Sequence, residues 1–218
     1  MTTSISLLVV AKAPVVGQVK TRLAATVGAT HAAELAAASL LDTIEVCRAT
    51  FGVARCHLAL AGELAAATRG DEIRRAVAGW RIRPQHGAGL AERLAHAHAA
   101  MAGPALQIGM DTPQVTRALL EEAADGLASH DAVLGPALDG GWWALGVRDP
   151  SYGAALVRVP MSTSETYEAT RAALRATGLD VATCRPLRDV DDAADADAVA
   201  GEAPSSRFAR AWTGVTAR

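Results

Sequence analysis

The chain has 218 residues, 50% hydrophobic and 20% charged, which is enough to bury one sizeable core and far from the composition of a disordered chain. Its net charge of −2 offers no broad attraction to polymeric nucleic acid, which is bound through basic surfaces that release counterions. The first apolar run, Ile5 to Ala11, is too short to span a membrane and has no basic residues ahead of it, so a single cytoplasmic domain over residues 1–218 is expected.

Ile5 to Ala11 (ISLLVVA) reads as a strand with both faces covered by helices. A loop follows from Lys12 to Lys20, punctuated by Pro14 and Gly17. It carries the only two lysines among the 21 basic residues, which suggests a specific role for them, with chance placement in a surface loop as the alternative. Leu35, Leu40, Leu41 and Ile44 recur at helical spacing and predict a helix over His31 to Arg48.

Next come a strand near Ala54 to Leu60, a polar helix near Asp71 to Ala78, a short strand at Trp80 to Arg83, a helix from Leu90 to Met101 and a strand from Ala105 to Met110. Pro113 stands where a first-turn proline is tolerated and predicts a helix from there to Ala128. Strands at Ala132 to Ala137 and Trp142 to Val147 flank a Gly140-Gly141 turn. Ser162 and Glu165 match a capping box and predict a helix running to Ala176.

A strand over Asp180 to Cys184, an acidic cluster over Asp189 to Asp197 and a last helix over Ser205 to Trp212 complete the chain. Cys47, Cys56 and Cys184 lack metal-ligand spacing and read as buried free thiols. Alternating strands and helices imply βαβ units, a parallel sheet with helices on both faces, and ligands bound beyond the carboxyl ends of the strands.

Five segments at those ends carry candidate chemistry. The first loop brings Lys12, Gly17, Lys20 and Arg22 to the start of a helix, where free N–H groups and ammonium groups favour a phosphate; a solvated basic loop is the alternative. Its spacing is not that of a P-loop. Asp111, at the end of a buried strand, suits Mg²⁺ or serves as a helix cap. Asp139 precedes Gly140, Gly141 and Trp142, where glycines admit close approach of a ligand and an indole offers a stacking face; a tight hairpin over buried tryptophans explains the same residues. Asp189 and Asp191 face one side of an extended segment, as joint ligands of a hard cation or as helix-initiating acids. Gly87, Gly89, Glu92 and Arg93 lie between a strand and a helix without the third glycine of a dinucleotide fingerprint.

In order, AKAPVVGQVKTRL (11–23), GAGLAERL (87–94), GMDTP (109–113), GPALDGGWWALG (135–146) and DVDD (189–192) resemble a bacterial family of glycosyltransferase-A-like transferases within the nucleotide-diphospho-sugar transferase superfamily. The chain is also similar, more distantly, to guanylyltransferases acting on phospholactate or phosphoenolpyruvate.

The resemblance implies a three-layer α/β/α fold of the GT-A type, Rossmann-like, with a mostly parallel central sheet and one antiparallel strand. It implies an enzyme in which Asp111, Asp189 and Asp191 hold Mg²⁺ or Mn²⁺, Lys20 and Arg22 contact the donor's phosphates, and Gly87 to Arg93 line the nucleotide pocket. Lys20, Asp111 and Asp139 are then the catalytic candidates, Lys12 and Gly17 add to the phosphate site, and Gly140, Gly141 and Trp142 face the acceptor. The partners implied are a nucleotide or nucleotide-sugar donor and a small acceptor. The group moved is a glycosyl group or, alternatively, a nucleotidyl group with release of pyrophosphate; a non-catalytic nucleotide-binding domain is the third reading. Met110, Trp142 and Asp192-Ala193 depart from the family's pattern of Ser or Thr, Tyr and Thr-Pro.

Overall fold

A computed structural model describes residues 5–216; residues 1–4 and 217–218 of the expected domain lie outside the described residues. Seven strands, β1 (Ser6–Lys12), β2 (Cys56–Ala61), β3 (Arg81–Pro84), β4 (Ala105–Ile108), β5 (Ala132–Pro136), β6 (Trp142–Val147) and β7 (Val181–Thr183), form one sheet in the order β3-β2-β1-β4-β6-β5-β7. Every pairing is parallel except those of β6, which runs antiparallel to β4 and β5. The chain moves outward from β1 to β2 and β3, then crosses to β4 on the other side of β1. That reversal opens a crevice beyond the carboxyl ends of β1 and β4.

The helices are α1 (Thr21–Val27), α2 (Ala29–Phe51), α3 (Gly70–Ala76), α4 (Leu90–Ala99), α5 (Arg117–Ser129), α6 (Thr166–Ala176), α7 (Ala193–Glu202) and α8 (Arg207–Thr216). Period-two alternation in β1 sends Leu7 and Val9 into a core shared with Leu40 and Ile44 of α2, Ile73 of α3 and Leu120 of α5. Leu8 turns the other way and packs with Ala59 and Met101. On that second face, α4, α6 and a 3-10 run over Pro150–Arg158 contribute Leu94, Leu174 and Leu156 to a core with Leu134 and Leu145. Leu23, Leu35, Val199, Phe208 and Trp212 form a third cluster that clamps α1, α2, α7 and α8 together. The three thiols are free and buried. Among the described residues no helix is long and apolar enough to cross a membrane.

Several elements differ from expectation. The long helix is preceded by α1, because Gly28 adopts φ 83 and breaks the chain between them. Pro113 does not open α5, whose cap is Thr116, its hydroxyl accepting from the Leu119 N–H at 3.3 Å. The capping box expected at Ser162 and Glu165 is absent: Ser162 has φ 60, Glu165 makes no side-chain cap, and α6 starts at Thr166. A capping box does form between Asp192 and Asp195 at the start of α7, in line with the alternative reading of the acidic cluster as helix-initiating.

Candidate functional site

Lys12 ends β1 and Gly109 leads from β4 to Asp111, so two of the five segments face the switch point directly. A third is tied to them by the backbone, since the Val190 N–H donates to the Asp111 carbonyl at 3.0 Å and the Gln114 amide donates to the Arg188 carbonyl at 2.7 Å. A cleft of about 600 Å³ opens here, within the size range of small-molecule sites. Its walls bring together Asp111, Asp139, Asp189 and Asp191 with the cations Lys12, Arg22 and Arg93, and add Gly141 and Trp142 from the β5–β6 turn. Residues from all five segments therefore meet in one place.

Gly17, Lys20, Gly87, Gly89, Glu92 and Gly140 take supporting positions and do not line the cleft. Lys20 is buried, its side chain 7% exposed, with the ammonium 2.6 Å from Asp111 Oδ1 and 3.9 Å from Asp191 Oδ1 and also donating to the Val190 carbonyl. Arg22 stays open and reaches Asp191 Oδ2 at 3.2 Å. Gly17 turns the first loop at φ 77, and Lys12 Nζ donates to the Gln18 carbonyl at 2.8 Å.

Glu92 accepts from the Ala88 N–H at 2.7 Å, and Arg93 Nε donates to the Gly87 carbonyl at 3.2 Å, folding the loop onto the start of α4. Gly87 permits that fold, because a Cβ there would meet Glu92 Cβ at 2.7 Å; Gly89 precedes the first residue of α4. Gly140 lies against the turn before α6: its carbonyl accepts from the Tyr167 N–H at 2.8 Å, and a Cβ on it would stand 2.0 Å from the Ser164 carbonyl oxygen.

Asp139 Oδ1 accepts from the Gly141 N–H at 2.8 Å, which fixes the hairpin turn and leaves the carboxylate at the cleft. Both indoles border the cleft: Trp143, buried in the core, donates to the Arg185 carbonyl at 2.9 Å, and the less buried Trp142 donates to Thr170 Oγ1 at 3.1 Å. The hairpin and the ligand-facing readings of this segment thus each describe part of it.

Asp189 is the electrostatic centre. Burial, then repulsion from Asp111 and Asp139, raises its pKa from 3.8 to about 7 against the pull of Lys20, and its Oδ1 has no hydrogen-bond partner. Among the described residues, no three His, Cys, Asp or Glu side chains are grouped to hold a metal ion as they stand. Asp111 and Asp191 are instead bridged by the Lys20 ammonium.

Gln107 and Thr112 were missed from the sequence. Both are buried at the cleft, and Gln107 Oε1 and Thr112 Oγ1 lack partners. A lone glutamine inside the apolar strand Ala105–Ile108 was the available signal. Ser162, Thr163 and Ser164 also reach the cleft, hidden in the sequence by the capping-box reading.

The fold and this cleft define an α/β protein built like the nucleotide-diphospho-sugar transferases. A proposed nucleotide-diphospho-sugar transferase from Desulfovibrio desulfuricans G20 superposes with a TM-score of 0.78 at 24% identity, covering 99% of this chain and 95% of that one. The manganese complex of Rv0371C from Mycobacterium tuberculosis H37Rv gives 0.54 at 19% identity, with 90% and 98% covered. The inositol-1-phosphate CTP transferase from T. maritima gives 0.59 at 10% identity, with 94% and 99% covered. No curated protein matches the sequence. The chain belongs to the family described as "Uncharacterized protein conserved in bacteria (DUF2064)", whose profile matches residues 43–163.

Proposed function

We propose that the chain is a cytoplasmic, divalent-metal-dependent transferase that takes a glycosyl group from a nucleotide sugar and passes it to a small uncharged acceptor. The observation that carries this reading is the meeting of Asp111, Asp189 and Asp191 with Lys12, Arg22 and Arg93 in one cleft at the switch point of the sheet. Such a cleft suits an anionic donor held together with a cation.

A divalent ion fits the chemistry of the aspartates. Asp189 is a mostly buried carboxyl with a free oxygen and a pKa of about 7, and a nearby cation would favour its charged form. The manganese complex of the M. tuberculosis neighbour supports the same choice. When bound by Asp111, Asp189 and Asp191, Mg²⁺ or Mn²⁺ would neutralise charge on the donor's phosphates.

Lys12 and Arg22 hold those phosphates, and the loop from Gly87 to Arg93 borders the nucleoside. Lys20 acts one step back: it neutralises Asp111 and keeps the two acidic loops together. Asp139 orients the acceptor's hydroxyl or takes its proton. Gln107, Thr112 and Ser162, which line the cleft beside the Trp142 ring, are uncharged hydrogen-bonding groups and suit a polyhydroxyl acceptor.

A second reading is nucleotidyl transfer from a triphosphate to a phosphorylated or carboxylated acceptor. It is favoured by three cations in one cleft and by the fold shared with the inositol-1-phosphate CTP transferase. The test is a panel of nucleotide sugars and nucleoside triphosphates with Mg²⁺ or Mn²⁺. Nucleoside diphosphate release, abolished by EDTA and by Asp111→Ala, supports the first reading, and pyrophosphate release supports the second. Donor binding without turnover of either kind, across a broad acceptor set, would overturn both in favour of a non-catalytic nucleotide-binding domain.

A further inference from the structure

A separate cavity of about 160 Å³ lies between the sheet and α4, on the face opposite α2. Partners in a parallel register point the same way, so the pairs Leu8↔His57, His57↔Arg81 and Ala59↔Arg83 place all these side chains on its floor. Arg93, His96, Ala97 and Ala100, at the spacing of one helix face, form the roof. The lining is mostly apolar, through Leu8, Ala59, Pro84, Ala97 and Met101.

The charge around this apolar space is of one sign. Arg81, Arg83 and Arg93 border it, no Asp or Glu does, and among the described residues none of the three guanidinium groups is in an ion pair. His57 is 8% exposed, and its Nδ1 has no hydrogen-bond partner. Burial, then Arg81 and Arg83, lowers its pKa and favours the neutral ring. Guanidinium groups without counter-ions at the border of an apolar space are an arrangement that an anion would complete.

We propose that this cavity is a binding site for a small organic carboxylate with an apolar body, the body lying beneath α4 and the carboxylate among Arg81, Arg83 and Arg93. Dry cavities of about 150 Å³ admit benzene, so the body is of that order. Guanidinium groups pair with carboxylates in a planar, two-point manner. Arg93 also lines the larger cleft, so the two spaces share a side chain. The inference needs neither the donor nor the metal of the proposed reaction.

The test is calorimetric titration of the metal-free protein with benzoate, benzamide and inorganic phosphate. Benzoate should bind with a Kd below about 1 mM and at least about tenfold more tightly than benzamide or phosphate. Arg81→Ala/Arg83→Ala should weaken it at least about tenfold. Both of these side chains are exposed, and Arg74→Ala, in a helix remote from the cavity lining, should change nothing. Ala97→Leu, which fills the cavity and leaves the arginines in place, should abolish binding. Benzamide or phosphate binding as tightly as benzoate, or benzoate binding that survives both the double variant and Ala97→Leu, would overturn the assignment.

Discussion

Asp189→Asn should stabilise the metal-free protein above neutral pH and leave it nearly unchanged near pH 4. The carboxyl's pKa is raised from 3.8 to about 7, chiefly by burial and then by Asp111 and Asp139. An acid whose folded pKa exceeds its unfolded value binds more protons in the native state, so its contribution to stability is full below the unfolded pKa and is lost as pH rises through the folded one. At about 1.36 kcal/mol per pH unit, the loss approaches about 4 kcal/mol by pH 8, and relaxation around a partly solvated carboxyl brings the expected value to about 2–4 kcal/mol.

Asparagine keeps the shape without the charge, and any effect of its amide is constant with pH. Fully buried His98, lowered to about 4 by burial, tilts the wild-type curve the other way, since its contribution is full above 6.5 and lost as pH falls towards 4. The wild-type profile therefore conceals both groups, and the difference between the two proteins isolates Asp189. Urea unfolding followed by tryptophan fluorescence in EDTA, from pH 4 to 8.5, gives that difference; a gap that stays constant with pH refutes the reasoning. Adding Mn²⁺ at about 100 times its Kd should return about 2.7 kcal/mol to the wild type and nothing to the variant.

Lys20→Met should cost about 1–3 kcal/mol in urea unfolding, between the values for exposed and buried ion pairs, because Lys20 is buried while Asp111 is 43% exposed. Lys20→Gly should recover about 1 kcal/mol of that loss, since residue 20 sits at φ 47, where glycine is unstrained. Gly140→Ala should destabilise by more than about 2 kcal/mol, combining φ 89 with a Cβ placed on the Ser164 carbonyl; a thermal midpoint within a degree of wild type would contradict that contact.

The parallel core of the fold was legible because fully covered strands are written as apolar runs. Ile5 to Ala11 and Ala105 to Met110 give their positions within one or two residues of β1 and β4, and the alternation with helices gives the sheet's crossovers. The resemblance implied one antiparallel strand without naming it, and the tight hairpin read at Gly140-Gly141 was the sequence's own signal that β6 runs back along β5. Helix boundaries failed where local signals competed. The helix expected from His31 begins at Ala29, and α1 ahead of it, ended by Gly28, has only seven residues, too few to show a helical period. The Ser162–Glu165 match was overridden because Thr166 Oγ1 accepts from the Thr163 N–H at 3.0 Å and donates to the Pro160 carbonyl, also at 3.0 Å. Site residues at strand ends could be named individually, but which of them face the cleft depends on contacts across long separations, such as that of Val190 with Asp111.

The two lysines show how far such contacts change a reading. Both stood out as ammonium groups kept in a chain that otherwise uses arginine, and both pointed to phosphate. Lys12 keeps its place at the cleft. Lys20 turns inward to acceptors on two loops, Asp111 and the Val190 carbonyl, with the Asp191 carboxylate a more distant ion-pair partner at 3.9 Å. A compact ammonium with freely oriented donors serves divergent acceptors in little space, whereas a guanidinium presents its donors in one rigid plane and is bulkier. That difference explains why lysine stands at this position. Residue 20 has a left-handed backbone, a conformation costing roughly 1–2 kcal/mol, against which stands the ion pair that holds the β4 loop to the loop after β7. The first loop thus supports the acidic wall with one lysine while it offers the other, together with Arg22, to the cleft.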